Sequence, residues 1–101
     1  MHYLIFTLSM PSRGSWNNKW SGDDRKYVKA RRFYKKDFDK LPDIIDKYHE
    51  YRWNDGWTAV VDVKHVTTVK EKNACVKGSV GFCGYDWMID SLLEHGMIKH
   101  E

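Results

Sequence analysis

Cysteine is scarce: Cys75 and Cys83 are the only two in 101 residues. That is too few for a disulfide framework, and their spacing fits no common zinc pattern. Reduced thiols in an intracellular protein are the expectation. Long hydrophobic runs are missing as well. The apolar stretch Tyr3-Leu4-Ile5-Phe6-Thr7-Leu8 is far too short to span a membrane and has no basic leader before it, and lipidation motifs are absent. The five histidines (His2, His49, His65, His95, His100) are scattered, with no i, i+4 pair of the kind that holds a metal on a helix. A nucleophile motif is lacking too: neither Cys83 with His95 nor Asp62 with His65 has the surroundings of a catalytic pair. The chain therefore reads as non-enzymatic, without metal or cofactor. It shows no internal repeat or low-complexity tract, and its length suits one α+β domain over residues 1–101.

Tryptophan, by contrast, is abundant. Trp16 and Trp20 lie in Ser15-Trp16-Asn17-Asn18-Lys19-Trp20-Ser21-Gly22, Trp53 and Trp57 flank Asn54-Asp55-Gly56, and only Trp87 sits in an apolar, helix-like stretch. Indole is favoured where one face is covered and one edge is wet, so four such rings in polar, turn-rich segments point to a surface that stacks on or clamps a partner. The net charge of +3 conceals an asymmetry. Residues 11–36 hold nine Lys and Arg against Asp23 and Asp24, whereas residues 37–101 hold eight basic and twelve acidic groups. Such a dipolar chain can steer an anionic ligand toward one face.

Tyr3 to Met10 is aromatic and branched on both alternating faces, as in a well-buried strand that Pro11 ends. Pro11 to Asp24 is a long Ser/Gly/Asn/Asp-rich loop, of a length that is usually functional. Arg25 to Phe33 follows as a second strand, antiparallel to the first, with Val28 and Ala30 on one face and Tyr27, Lys29, Arg31 and Phe33 on the other. Phe38, Leu41, Ile45 and Tyr48 repeat at the spacing of one helical face, with Asp37 or Asp39 as cap and Pro42 in the first turn. After the Asn54-Asp55-Gly56 turn, Trp57 to Val66 forms a third strand with Ala59, Val61 and Val63 on one side. Thr68-Val69-Lys70-Glu71 has capping-box spacing and predicts a short helix. A glycine-punctuated loop over Lys77 to Gly84 leads into a last helix, Tyr85 to His95. Tyr85, Met88, Ile89 and Leu92 form its buried face, and Gly96 ends it with Leu92 and Met97 in apolar contact. The expected fold is an α+β two-layer sandwich: a three-stranded, mainly antiparallel sheet in the order β-β-α-β-α, with the helices on one face.

Three groups of residues could bind a ligand. In Arg13-Gly14-Ser15-Trp16-Asn17-Asn18-Lys19-Trp20, two stacking rings, two cations, two amides and nearby hydroxyls combine as they do around nucleotides and single strands. Trp16 and Trp20 would stack on a base, Arg13 and Lys19 would neutralise phosphate, and Ser15, Asn17 and Asn18 would read polar edges. The alternative is that the two indoles merely cover the sheet. Gly81, Phe82 and Gly84, followed by Tyr85 and Asp86, would form the opposite wall. Glycines before a helix expose backbone N–H groups, while Asp86 would accept from a ligand hydroxyl or amine. The spacing is not the GxGxxG dinucleotide fingerprint, and close packing alone would also account for it. Arg25, Tyr27, Lys29 and Arg31 form a basic outer face on strand two, in outline a nucleic-acid platform or else a solvated edge, and no recognised nucleic-acid motif accompanies it.

Two segments carry a resemblance. Ser9-Met10-Pro11 with Ser15-Trp16-Asn17 and Lys19-Trp20-Ser21-Gly22, and Gly81-Phe82-Cys83-Gly84-Tyr85-Asp86-Trp87-Met88-Ile89-Asp90-Ser91 with Glu94-His95-Gly96, resemble short accessory proteins encoded by bacteriophages and prophages. The resemblance implies a protein made in the host bacterial cytoplasm that counters a defence system, by sequestering a nucleotide signal or by docking on a defence protein. The residues favour a small anionic nucleotide-type ligand, held in a pocket that copies of a homo-oligomer would share. A protein–protein inhibitor is the alternative, because the same aromatics and arginines make interface hot spots, and a nucleic-acid-binding module comes third.

Overall fold

In the computed structural model, which describes residues 1–9, 27–52, 58–77 and 85–99, four strands form one open antiparallel sheet. They are β1 (His2–Ser9), β2 (Tyr27–Phe33), β3 (Tyr48–Arg52) and β4 (Thr58–Val66), in the spatial order β2-β1-β4-β3. Three helices accompany them among the described residues: the single turn α1 (Lys35–Phe38), α2 (Val69–Val76) and α3 (Asp86–His95). The α+β class agrees with the sequence, but the sheet has one strand more than expected.

β1 lies at the centre because its side chains are apolar on both faces. Leu4, Phe6 and Leu8 point to one side, where they join Ala59, Val61 and Val63 of β4 and Ile44, Met88, Ile89 and Leu92 in the main core. Tyr3 and Ile5 point to the other and meet Val66, with Val28, Ala30 and Cys75 around them. Each fully buried Leu, Ile or Phe contributes about 1.5–3 kcal/mol relative to exposure, so β1 with its two β4-facing rows anchors the fold. The expected hairpin of the first two strands forms, with Leu4 opposite Arg31 and Phe6 opposite Lys29.

The helix expected over Phe38, Leu41, Ile45 and Tyr48 does not form. Helical backbone begins at Lys35 and ends at Phe38, with Asp39 as C-cap. Pro42 then falls beyond the first turn, where it has no N–H to give and pushes Leu41 out of helical backbone. The chain continues in tight turns: the Ile44 N–H donates to the Pro42 carbonyl, and the Asp46 N–H donates to the Val63 carbonyl at 2.8 Å, hooking the segment onto β4. Asp46 sits at φ 60°, a left-handed conformation that Asp tolerates better than most residues. The apolar residues still reach the core, Ile44 fully and Phe38, Leu41 and Ile45 in part. Tyr48 instead opens β3 and is 78% exposed.

The helices do not share one face of the sheet. α3 and the irregular stretch before β3 cover the side of Leu4, Phe6 and Leu8, whereas Cys75 of α2 packs on the opposite side with Tyr3, Ile5 and Val66. Thr68 caps α2 as expected, with the Glu71 N–H donating to Thr68 Oγ1 at 3.1 Å; Glu71 Oε1 accepts from the Thr68 hydroxyl at 2.9 Å, where a full capping box would use the Thr68 backbone N–H.

α3 buries Met88, Ile89, Ser91 and Leu92 and stops at Gly96, whose φ of 74° is the left-handed C-cap foreseen from the sequence. Met97, expected beside Leu92, is 54% exposed, and Ile98 packs on the core. The Ser91 hydroxyl fixes this tail, donating to the Met97 carbonyl at 2.8 Å and accepting from the Lys99 N–H at 2.7 Å. A Cβ at position 96 would stand 3.2 Å from Pro42 Cβ. Gly96→Ala is therefore expected to cost at least about 1–2 kcal/mol in a urea titration, since left-handed strain and the proline contact add.

Candidate functional site

The strand ends decide which sequence segments can meet. β1 leaves the sheet at Ser9 and β2 enters at Tyr27; β3 leaves at Arg52 and β4 enters at Thr58. Leu8 stands opposite both Tyr27 and Val61, Ser9 opposite Val60, and Arg52 opposite Thr58, so all four termini lie at one end of the sheet. α3 starts at the same end. The ring of Tyr85, which precedes it, lies 6.1 Å from that of Tyr27, and Trp87 meets Tyr51 edge-on at 5.4 Å. The described residues that flank 10–26 and 53–57, together with Tyr85, thus lie at this end, where Tyr27, Tyr51, Tyr85 and Trp87 pack against the core. Arg13, Ser15, Trp16, Asn17, Asn18, Lys19, Trp20, Gly81, Phe82 and Gly84 lie outside the described residues, as do Trp53, Trp57 and Cys83.

The charges of β2 lie on the face opposite to expectation. Tyr27, Lys29, Arg31 and Phe33 share the side of Leu8, Phe6, Leu4 and His2, under α3 rather than on an outer surface. Lys29 Nζ donates to Asp86 Oδ1 at 2.8 Å, and Arg31 pairs with Asp90 Oδ1 at 2.8 Å. Asp86 and Asp90 are one helical turn apart, matching the two-residue step of β2. With side-chain exposures of 39% and 51% for the first pair and 29% and 61% for the second, each contributes at most about 1 kcal/mol. Their effect is mainly positional. Asp86, expected to accept from a ligand, accepts from Lys29, whose ammonium keeps two further N–H donors for an anion at this end.

The far end of the sheet holds an aromatic group that the sequence did not suggest. His2 Nδ1 and His65 Nε2 are 3.1 Å apart. Phe38 of α1 stacks on both imidazoles, at 4.4 Å from His2 and 4.5 Å from His65. These residues are 63 positions apart in the chain, so no local spacing could reveal the pair. Only the register, with Leu4 opposite His65, brings them to one face. Asp62 belongs to the other face of β4, which removes the Asp62–His65 pair considered from the sequence. His49 is also engaged, donating from Nε2 to the Ile44 carbonyl at 3.0 Å. Among the described residues, Arg32 lies over the Tyr34 ring at 5.9 Å and Lys72 over the Tyr3 ring at 5.5 Å.

Among the described residues, no helix is long and apolar enough to cross a membrane, and no group of three or more His, Cys, Asp or Glu is placed to hold a metal ion. No protein-family model, curated protein or solved structure matches the chain.

Proposed function

We propose that the protein is a non-enzymatic binder of a small anionic nucleotide-type ligand, taken up where the tryptophan-bearing and glycine-rich segments converge. The observation that supports this reading is the register, because strand termini flanking segments 10–26 and 53–57 lie together at one end, beside the Tyr27–Tyr85 contact. In this reading Trp16 and Trp20 stack on the base, Arg13 and Lys19 neutralise phosphate, and Ser15, Asn17 and Asn18 supply polar contacts. Gly81, Phe82, Gly84 and Tyr85 form the facing wall. Lys29, held by Asp86, adds a cation that sequence reasoning had assigned to an outer surface. The biological setting we propose is that of a phage-encoded protein in the host bacterial cytoplasm, where it counters a defence system by sequestering a nucleotide signal. A pocket shared between copies would enclose more of the ligand than a chain this small can, which favours a homo-oligomer.

One observation favours the rival reading, an inhibitor that docks on a host defence protein. β3 is an edge strand on which Tyr48 and Arg52 are largely exposed, and both residue types make strong interface anchors.

A melting-temperature screen against cyclic di- and trinucleotides, ADP-ribose derivatives and mononucleotides tests the proposal. A ligand at a hundredfold excess over its Kd stabilises the fold by about 2.7 kcal/mol, an easily read rise. Lys29→Ala is expected to leave the unliganded melting temperature nearly unchanged, because it removes only a half-exposed ion pair, yet to weaken the stabilising ligand several-fold. No shift with any nucleotide, together with a stable complex with a host protein formed without one, would replace the proposal by the inhibitor reading.

A further inference from the structure

We propose that His2 and His65 form a binding site for a divalent transition-metal ion of the zinc type, at the end of the sheet opposite the proposed ligand site. Three observations carry this. His2 Nδ1 and His65 Nε2 stand 3.1 Å apart. With metal–nitrogen bonds of about 2.0–2.1 Å, two nitrogens on one ion are separated by roughly 2.9 Å at a right angle and roughly 3.3 Å at a tetrahedral angle, so the observed distance falls within the bite of a chelate. The rings are also pre-set: they are only 25° from parallel, lie side by side with centroids 5.2 Å apart, and are both covered by Phe38. Strand register fixes their backbones, and stacking on Phe38 fixes their planes, so binding demands little rearrangement. Both histidines are half-buried, which leaves an entry route and open coordination positions.

The ligand chemistry selects the ion. Two imidazole nitrogens without a convergent carboxylate suit zinc or nickel and are poor ligands for magnesium or calcium. Since the described residues supply no third His, Cys, Asp or Glu, waters or a ligand complete the shell, one protein donor short of the three that open zinc sites use. In the metal-free pair one ring donates its N–H to the other. On binding, that ring moves its proton to its remaining nitrogen, so both facing nitrogens offer lone pairs.

Tag-free protein titrated with zinc, followed by calorimetry and by imidazole 1H–15N spectra, tests the site. The expected result is one zinc per chain, with shifts at His2 Nδ1 and His65 Nε2 and none on addition of magnesium. His65→Phe, which keeps an aromatic ring against Phe38, is expected to weaken zinc binding at least about tenfold, whereas His95→Ala leaves it unchanged. Folded wild-type protein that takes up no zinc, zinc uptake that leaves those two nitrogens unshifted, or undiminished binding by a folded His65→Phe would each overturn the proposal. If His65→Phe does not fold, the nitrogen shifts of the wild type decide alone.

Discussion

Replacing Trp16 and Trp20 together by alanine is expected to weaken nucleotide binding by roughly thirtyfold or more, because each aromatic–base stack is worth about 1–3 kcal/mol. The double variant is expected to keep nearly the wild-type melting temperature. In the proposed reading the two rings serve the ligand, and the fold rests on the buried cluster of Leu4, Phe6, Leu8, Val61, Val63, Met88, Ile89 and Leu92. Isothermal titration with the stabilising nucleotide, alongside a melting curve, separates the possibilities. Lost binding with a retained fold supports a stacking site. A variant that melts far lower would mean that the indoles are structural covers of the sheet, and the proposed roles of Arg13, Lys19, Asn17 and Asn18 would fall with them.

The largest loss of stability is expected at Phe6. Its side chain is fully buried on the central strand, opposite Val63 on one neighbour and Lys29 on the other, and under α3. Phe6→Ala removes the ring and leaves a cavity that strands held on both sides cannot close, at a cost of about 3–5 kcal/mol. A domain of this size has roughly 5–15 kcal/mol in all and loses about 4–8 °C per kcal/mol, so the variant melts well over ten degrees lower or fails to fold. Tyr48→Ala is the matching control. Tyr48 is 78% exposed, and its loss is expected to change stability by no more than about 0.5 kcal/mol. Equal effects at the two positions would contradict the assignment of β1 as the centre of the sheet.

How far the sequence discloses this architecture depends on whether the deciding contact is local. β1 is legible because Tyr3-Leu4-Ile5-Phe6 is a short aromatic and branched run that Pro11 soon ends, and residues 3–6 are all buried as a strand covered on both faces requires. The Thr68 cap and the left-handed Gly96 are legible for the same reason, since each end is set within a few residues. β3 is not. Its sequence Tyr48-His49-Glu50-Tyr51-Arg52 has no branched aliphatic residue, and Tyr48 completes a helical spacing with Phe38, Leu41 and Ile45, of which those three reach the core without helical backbone and Tyr48 does not. The proline at position 42 and the hydrogen bond from Asp46 to Val63 settle the matter, and the second of these is long-range.

The facing of β2 escapes for a related reason. Its alternation is correct in the sequence, but cations normally mark the solvent side. Here Asp86 and Asp90, more than fifty residues later, draw Lys29 and Arg31 beneath α3. Of the twelve candidate ligand residues, only Tyr85 and Asp86 fall within the described structure. Asp86 Oδ1 accepts from Lys29, and the Tyr85 ring lies 6.1 Å from that of Tyr27. The His2–His65 pair has no local signal at all and follows solely from strand register.

The central claim is that aromatic rings at the segment-bearing end of the sheet close on a small anionic nucleotide. Intrinsic tryptophan fluorescence, titrated with the nucleotide panel and with a short single-stranded oligonucleotide, tests it most directly. The account predicts saturable quenching by one small nucleotide, with affinity that survives moderate salt better than the steep decline expected of a phosphate-backbone binder. Unchanged emission across the panel from folded protein, or quenching by the oligonucleotide alone, would contradict it.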